Sequence, residues 1–284
     1  MNARSLAWAA TVVSLGLAAS LPLPAHAHRG WMLPSATVLS GDNVWVTVDA
    51  AVSNDLFYFE HQPMRLDNLK LYSPDGSPIT AENRSTGRYR STFDVRLTKP
   101  GTYRFAIEND GLFASYRLNG ETKRVRGTAE TLRKEIPAGA ENVQVTRSQG
   151  RLEVFVTAGK PTTTALKPTG NGLELVPVTH PNDLLVGDEA TFGLTIDGKP
   201  AAGIPVTVIP GGIRYRDQLG ETKVVTGEDG RFKVKWPEPG MYWINASYPV
   251  RSGGGPGAGG AAGGTIDAPN RRANYTATVE VLPQ

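Results

Sequence analysis

The stretch LPSATVLSGDNVWVTV (residues 33–48) returns in altered form as HPNDLLVGDEATFGLTI (residues 180–196). Each copy has a proline, a hydrophobic pair, a Gly-Asp pair and then alternating apolar and polar residues. Alternation with a period of two is typical of a half-buried β-strand, and a Gly-Asp pair ahead of it is a turn signal. The repeat therefore predicts two related β-rich halves.

A second repeat lies downstream of the first in each half. LTKPGTYRFAIE (residues 97–108) resembles WPEPGMYWINAS (residues 236–247), and both place Pro-Gly-x-Tyr ahead of a strand. Short strands at regular intervals with turn signals between them are typical of immunoglobulin-like sandwiches. We therefore expect an all-β fold of two tandem immunoglobulin-like β-sandwich domains, in which each tyrosine enters the core or a corner.

The first residues have the features of a secretory signal peptide. Arg4 precedes an apolar run, and Ala25-His26-Ala27 fits the small-x-small pattern that signal peptidase recognises. We expect residues 1–27 to be removed, which makes His28 the first mature residue. A cut after Ala25 is the alternative. No later stretch is apolar enough to span a bilayer, so we expect an exported periplasmic protein with no transmembrane segment in the mature chain.

The pattern divides the mature chain into residues 28–162 and residues 163–284. The join is expected where Pro, Thr and Lys replace the alternating pattern. The N-terminal domain includes an excursion at residues 111–140 that we interpret as irregular, a solvated loop rather than a basic patch. Within it, only Thr128 to Lys134 predicts a short helix. The C-terminal domain includes a glycine-rich loop at residues 253–264, whose composition predicts a flexible tether.

Composition excludes several classes of function. The chain contains no cysteine, so disulfides, thiolate metal sites and thiol nucleophiles are absent. Lys and Arg number 30 against 27 Asp and Glu, a balance that argues against a nucleic-acid binder. No serine or carboxylate pair lies in a recognisable catalytic context. We therefore expect a protein that is not an enzyme, with a copper oxidase-type enzyme as an alternative.

The few histidines point to metal chemistry at the mature N-terminus. If His28 is terminal, its α-amine and ring Nδ1 can close a chelate ring, and such nitrogens suit Ni(II), Co(II), Cu(II) and Zn(II). His61 is the leading additional ligand, with Glu60 and His180 in reserve. In an extended segment Glu60 and His61 face opposite ways, and His180 also has a structural interpretation as a hydrogen-bonding residue. We expect Trp31 to pack against the first domain and hold His28 near residues 57–64.

The order of motifs over nearly the whole mature chain resembles a known family. The motifs are His28-x-x-Trp31-x-x-Pro34, Pro100-Gly101-Thr102-Tyr103, Gly227-Glu228-Asp229-Gly230-Arg231-Phe232 and Pro239-Gly240-Met241-Tyr242. They are similar to the exported bacterial proteins grouped as domain of unknown function 4198, which are often described as periplasmic components of nickel or cobalt uptake.

The resemblance implies capture of one divalent transition metal ion (Ni, Co or Cu) in the periplasm. The ion would pass to a membrane or outer-membrane metal transporter. By resemblance His28 is the ligand, and His61 is carried over from its place after Phe59-Glu60. The alternative is a non-catalytic interaction module that binds an envelope protein or glycan.

Overall fold

The computed structural model describes residues 28–41, 44–250 and 264–284. The signal peptide expected over residues 1–27 lies outside the described residues, as does all but the last residue of the glycine-rich loop. The described residues form nineteen β-strands and one α-helix, which confirms the all-β prediction. Among them, no helix is long and apolar enough to cross a membrane.

The strands of the first half are β1 (Arg29–Pro34), β2 (Val38–Leu39), β3 (Val44–Ser53), β4 (Gln62–Pro63), β5 (Leu69–Tyr72), β6 (Pro78–Ile79), β7 (Glu82–Thr86), β8 (Ser91–Leu97), β9 (Gly101–Leu118), β10 (Glu121–Gly127) and β11 (Glu141–Ala158). Those of the second half are β12 (Leu173–Pro177), β13 (Glu189–Ile196), β14 (Lys199–Pro200), β15 (Pro205–Pro210), β16 (Thr222–Val225), β17 (Arg231–Lys235), β18 (Gly240–Tyr248) and β19 (Asn270–Val281). The helix α1 spans Ala129–Glu135, and short 3-10 turns lie at Thr164–Leu166 and Ile213–Tyr215.

The strands form three sheets. The first outer sheet has the order β1-β3-β8-β7, with β4 also paired to β3. The second outer sheet has the order β12-β13-β14, with β17 also paired to β13. Between them runs the shared sheet, β16-β15-β18-β19-β11-β9-β5-β6, in which β10 pairs with β9 and β2 with β11. Both halves of the chain contribute strands to this sheet.

The two sandwiches meet through a parallel pair in the shared sheet. Strand β11 pairs with β19 over nine positions, from Thr146 opposite Asn270 to Val154 opposite Thr278. Successive side chains of a strand point to opposite faces. Val154 accordingly lies in the core under the first outer sheet, whereas Phe155 lies in the core under the second. The outer sheets therefore cover opposite faces of one continuous sheet.

The Pro-Gly-x-Tyr repeat forms the same structure twice, as the repeat predicts. Tyr103 and Tyr242 are buried, and the hydroxyl of each donates to the backbone carbonyl four residues earlier at 2.8 Å. Gly101 and Gly240 have φ angles of 128° and 134°, in the region that favours glycine. A tyrosine that closes a corner in this way is a hallmark of immunoglobulin-like domains.

The excursion at residues 111–140 is regular, so the expectation of an irregular loop is wrong. Strands β9 and β11 each continue for 18 residues, and β10 returns antiparallel along the outer part of β9. Helix α1 follows, and the side chain of its N-cap Thr128 accepts a hydrogen bond from the backbone of Thr131. Leu132 of this helix is fully buried against one face of the strands. We call residues 111–149 the arm.

Candidate functional site

His28 and His61 lie side by side at one end of the first outer sheet. Strands β1 and β4 both pair with Ala51 and Val52 of β3. Because a strand has one neighbour at each edge, β1 and β4 must flank β3 on opposite sides. His28 directly precedes β1 and His61 directly precedes β4. Their imidazole rings are stacked, with centroids 3.8 Å apart and planes 14° from parallel.

The stacked rings supply two nitrogen donors within reach of each other. Both side chains are exposed, so the core does not restrict their rotation. The donor lone pair of an imidazole lies in the ring plane, so two parallel rings must rotate before both nitrogens can bind one ion. Among the described residues, no group of three or more His, Asp and Glu side chains forms a metal-binding cluster. A third nitrogen would be the amine of residue 28 after cleavage.

The residues that follow His28 are held by hydrogen bonds to the rest of the fold. The Arg29 guanidinium donates to the backbone carbonyl of Asn54 at 2.7 Å. The indole of Trp31 donates to the Ser53 hydroxyl at 2.8 Å. From the second half, the indole of Trp243 donates to the carbonyl of residue 30 at 3.0 Å. The backbone adjoining His28 is therefore fixed from both halves of the chain.

Trp31 anchors this end of the molecule. It is fully buried, with ring centroids 5.6 Å from Phe57 and 5.5 Å from Phe59. The same cluster includes Ile209 and Trp243 of the second half. We expected Trp31 to pack against the first domain, and it packs against the second half as well. The ordering of His28 therefore depends on the junction between the two halves.

Glu60 has a structural role beside the histidine pair. Its Oε1 accepts hydrogen bonds from the backbone amides of Asn54 and Asp55, both at 2.8 Å. Its Oε2 lies 3.9 Å from the guanidinium of Arg214 in the second half. These contacts favour Glu60 as a support for the loop after β3. In the same loop, the Asn54 Oδ1 is buried without a hydrogen-bond partner among the described residues.

His180 lies in a hydrogen-bond network at the junction of the halves. Its Nε2 is 3.0 Å from the Thr102 hydroxyl and 3.2 Å from the Thr162 carbonyl, and its Nδ1 accepts from the Asn182 amide at 3.1 Å. Burial lowers the pKa of His180 below its ordinary value. Both ring nitrogens are engaged, which favours the structural interpretation of this residue.

A pH dependence of stability follows from the lowered pKa of His180. The unfolded chain binds the proton of this histidine more readily than the folded chain, so acid favours unfolding. We expect the free energy of unfolding to fall as the pH is lowered through the ordinary histidine value of 6.5. Urea unfolding of the native protein and of His180→Gln between pH 7.5 and pH 5 measures this effect. An equal slope against pH in both proteins would contradict it.

The sequence did not indicate that residues of the second half contribute to this site. Trp243 and Arg214 are assigned by pattern to the second domain, yet Trp243 bonds to residue 30 across 213 positions of sequence. Arg214 lies over the ring of Tyr58 at 4.0 Å from its centroid. Periodicity describes each strand alone, so it carries no signal for contacts between the halves.

Comparisons with known proteins identify a family and several solved structures of low similarity. No curated protein matches the chain. Solved structures with some similarity include activated alpha-2-macroglobulin of Escherichia coli (13% identity, 91% of this chain, TM-score 0.23). The chain spans only 20% of the length of that protein.

Two further structures have similarly low scores. The D0-D1 domain of intimin shares 13% identity over 88% of this chain and 97% of its own length, with a TM-score of 0.22. The ICAM-5 ectodomain fragment D1-D4 shares 11% identity over 90% of this chain and 51% of its own, with a TM-score of 0.21. Scores this low carry no argument about function.

The family assignment comes from the sequence. The model of the family described as Domain of unknown function (DUF4198) matches residues 25–250. The match begins just before His28 and ends after β18, so it includes every described strand except β19. The chain belongs to the DUF4198 family.

Proposed function

We propose that the mature protein binds one divalent transition metal ion, Ni(II), Co(II) or Cu(II), in the periplasm. The ligands are the terminal amine and imidazole of His28 and the imidazole of His61. The observation that carries this proposal is the approach of the two rings to 3.8 Å, although the residues are 33 positions apart in the sequence.

The donor set fits these metals. Neutral amine and imidazole nitrogens suit Cu(II), Ni(II) and Co(II) better than they suit Ca(II) or Mg(II), which take oxygen ligands. An α-amino group titrates near ~7.7–8.0, so it gives up its proton to a metal more readily than a lysine does. Met64 lies beside Gly30, where a built Cβ would meet the Met64 methyl carbon at 2.8 Å, and it packs against the core of the first sandwich.

Preorganisation supports binding at this terminus. A free N-terminus must be ordered when it binds metal, and ordering costs about 1–2 kcal/mol for the backbone of each residue. Here the hydrogen bonds of Arg29 and Trp31 already fix the segment after His28. The cost of ordering is therefore limited to His28 itself and to the rotation of the two rings.

Capture followed by transfer is the role that this placement supports best. The mature chain contains three histidines, and two of them lie together at an exposed end of a sheet. One small exposed site favours the exchange of a single ion with a partner over storage of many ions. We propose that the partner is a membrane or outer-membrane metal transporter.

Metal titration of the processed protein tests the proposal. Intact mass would first establish that the chain begins at His28. We expect one-to-one binding, and we expect His28→Ala, His61→Ala or one extra residue ahead of His28 each to weaken it about 100-fold or more, since even the loss of an indirect support costs 10–100-fold. His180→Gln is the matched control and should bind as the native protein does.

Two results would contradict the proposal. One is unchanged affinity in the protein with an extra N-terminal residue, because the terminal amine would then play no part. The other is the absence of binding of Ni(II), Co(II) and Cu(II) by protein whose His28 terminus has been verified.

A further inference from the structure

We propose that the open face of the arm binds an acidic oligosaccharide, a function separate from metal binding. Four strands meet there in the order β10-β9-β11-β19. One face of the arm packs against helix α1 around Leu132. The other face carries a groove of about 510 Å³, lined by Gly111, Phe113, Ser115, Thr122, Arg124, Arg126, Gln144, Thr146, Ser148 and Arg272.

The strand register places these side chains together. Phe113 is opposite Arg126 on one side and opposite Thr146 on the other. Ser115 is likewise opposite Arg124 and Gln144. Residues paired across neighbouring strands point to the same face of a sheet. The groove is therefore a property of the sheet and does not depend on a loop conformation.

The groove has a strong positive charge. Among the described residues, no carboxylate lies within ion-pair distance of Arg124, Arg126 or Arg272, and none of the ten lining residues is acidic. Residues 251–263, which the structure does not describe, contain no Asp or Glu in their sequence. By contrast, Arg147 and Arg271 on the same strands pair with aspartates.

The remaining surface of the groove suits a sugar. Phe113, one of the residues that line the groove, is 38% exposed. Beside it, a Cβ built on Gly111 would meet nothing within 4 Å, so the space over this residue is open. An aromatic face packs against the apolar face of a pyranose ring, and the Ser115 and Thr146 hydroxyls can exchange hydrogen bonds with sugar hydroxyls.

The combination of groups favours an acidic saccharide over other anions. Guanidinium groups bind carboxylates and phosphates with two parallel hydrogen bonds, which a neutral sugar cannot use. A bare inorganic anion would leave the Phe113 ring unused. Single-stranded nucleic acid stacks successive bases on a series of aromatic side chains, and this groove offers one ring.

The spacing of the arginines sets the size of the ligand. Arg124 and Arg126 are two residues apart on one strand, which corresponds to about 7 Å. Arg272 lies three strands away, which corresponds to about 14 Å at the usual separation of strands. Charges at both distances require more than one acidic sugar, so we infer an oligosaccharide with at least two carboxylate or phosphate groups.

Calorimetric titration with defined probes tests this inference. The probes are α-1,4-linked tetragalacturonate, its neutral methyl ester, tripolyphosphate and an octathymidylate. We expect tetragalacturonate to bind and the methyl ester to bind at least about tenfold more weakly, because charged partners roughly double the strength of a hydrogen bond. The double variant Arg124→Gln, Arg126→Gln should bind tetragalacturonate at least about tenfold more weakly than the native protein.

A variant that adds a negative charge tests the groove without removing any of the side chains that line it. Gly111→Glu places a carboxylate in open space, and Gly111 does not have a left-handed φ, so the strand tolerates a side chain there. We expect it to weaken tetragalacturonate binding at least about tenfold. Lys134 is an exposed lysine on α1, so Lys134→Gln is the matched control for loss of a positive charge. Its affinity for tetragalacturonate should lie within twofold of that of the native protein. His28→Ala should also bind normally.

Four results would overturn the inference. The first is equal affinity for the methyl ester and the acid, and the second is a loss of affinity in Lys134→Gln as large as that in the double arginine variant. The third is binding of tripolyphosphate or octathymidylate at the arginines without binding of tetragalacturonate. The fourth is the absence of binding of all four probes at millimolar concentration. Unchanged unfolding midpoints of the variants would show that each result concerns the groove and not the fold.

Discussion

Replacing Trp31 with alanine is expected to lower the free energy of unfolding by about 3–5 kcal/mol, the usual cost of truncating a buried aromatic side chain. Trp31 is fully buried between Phe57, Phe59 and the second half of the chain. Its loss also leaves the Ser53 hydroxyl without the indole donor. Because the same residue orders the segment after His28, metal affinity should fall with stability.

Chemical denaturation of the native protein and of two variants checks this expectation. Trp45→Ala is the matched control, because Trp45 lies on the same outer sheet but is 43% exposed. Trp31→Phe keeps an aromatic ring and should lose less stability than Trp31→Ala. A loss for Trp31→Ala no greater than that for Trp45→Ala would mean that the aromatic cluster does not join the two halves.

Replacing Glu153 with alanine is expected to lower the free energy of unfolding by about 3 kcal/mol, the lower end of the usual cost of breaking a buried ion pair. The buried Arg104 loses its carboxylate partner, whereas Arg151 keeps its ion pairs with Glu108 and Glu174. Glu153 is 3% exposed on β11. Its Oε1 lies 3.1 Å from a guanidinium nitrogen of Arg151 and 4.0 Å from the Nε of Arg104. Its Oε2 accepts a hydrogen bond from the hydroxyl of Tyr275 on β19 at 2.8 Å.

The tyrosine ties this charge cluster to the other half of the shared sheet. Burial, together with the charge of Glu153, raises the pKa of Tyr275 well above its ordinary value. The hydroxyl therefore remains protonated and continues to donate to the carboxylate. Tyr275→Phe removes this hydrogen bond but leaves the charge of Glu153 in place. We therefore expect it to lower the free energy of unfolding less than Glu153→Ala does, and the difference between the two variants measures the contribution of the charge.

A double-mutant cycle measures the coupling within this cluster. The cycle consists of Arg151→Met, Glu153→Leu and the double variant, each compared with the native protein. Because Arg151 and Glu153 lie 3.1 Å apart, we expect the double variant to lose less stability than the sum of the losses of the two single variants. Glu121→Gln, at an exposed position of the arm, controls for the loss of a carboxylate. A Glu153→Ala variant as stable as Glu121→Gln would contradict the expectation.

Local features of the fold were predictable because they depend on a few neighbouring residues. The Pro-Gly-x-Tyr segments predict the corners closed by Tyr103 and Tyr242, since the turn and the tyrosine lie within five positions. Helix α1 was predictable in the same way from Thr128 onward. The regular arm was not. Apolar residues do alternate on β9 at Leu112, Ala114, Tyr116 and Leu118, but β10 has one buried apolar residue, Val125, among charged ones and so lacks this alternation.

Long-range pairing was beyond the reach of the sequence pattern. The bond between Glu153 and Tyr275 joins residues 122 positions apart, and periodicity does not indicate which strands pair. The candidate site shows the same division. Residue types made His28 and His61 candidate ligands, and the expectation that Trp31 holds His28 near residues 57–64 agrees with the stacked rings. The pairing of β4 with β3 was not predicted, because a strand of two residues leaves no periodic signal.

The parallel pairing of β11 with β19 has a consequence for synthesis of the chain. Strand β19 (Asn270–Val281) follows the other described strands along the chain, so the ribosome produces it after them. Until then, one edge of β11 has no neighbour over the nine positions that β19 later covers. Unpaired strand edges attract other chains. The nascent protein therefore exposes an unpaired edge of β11 until β19 has been synthesised.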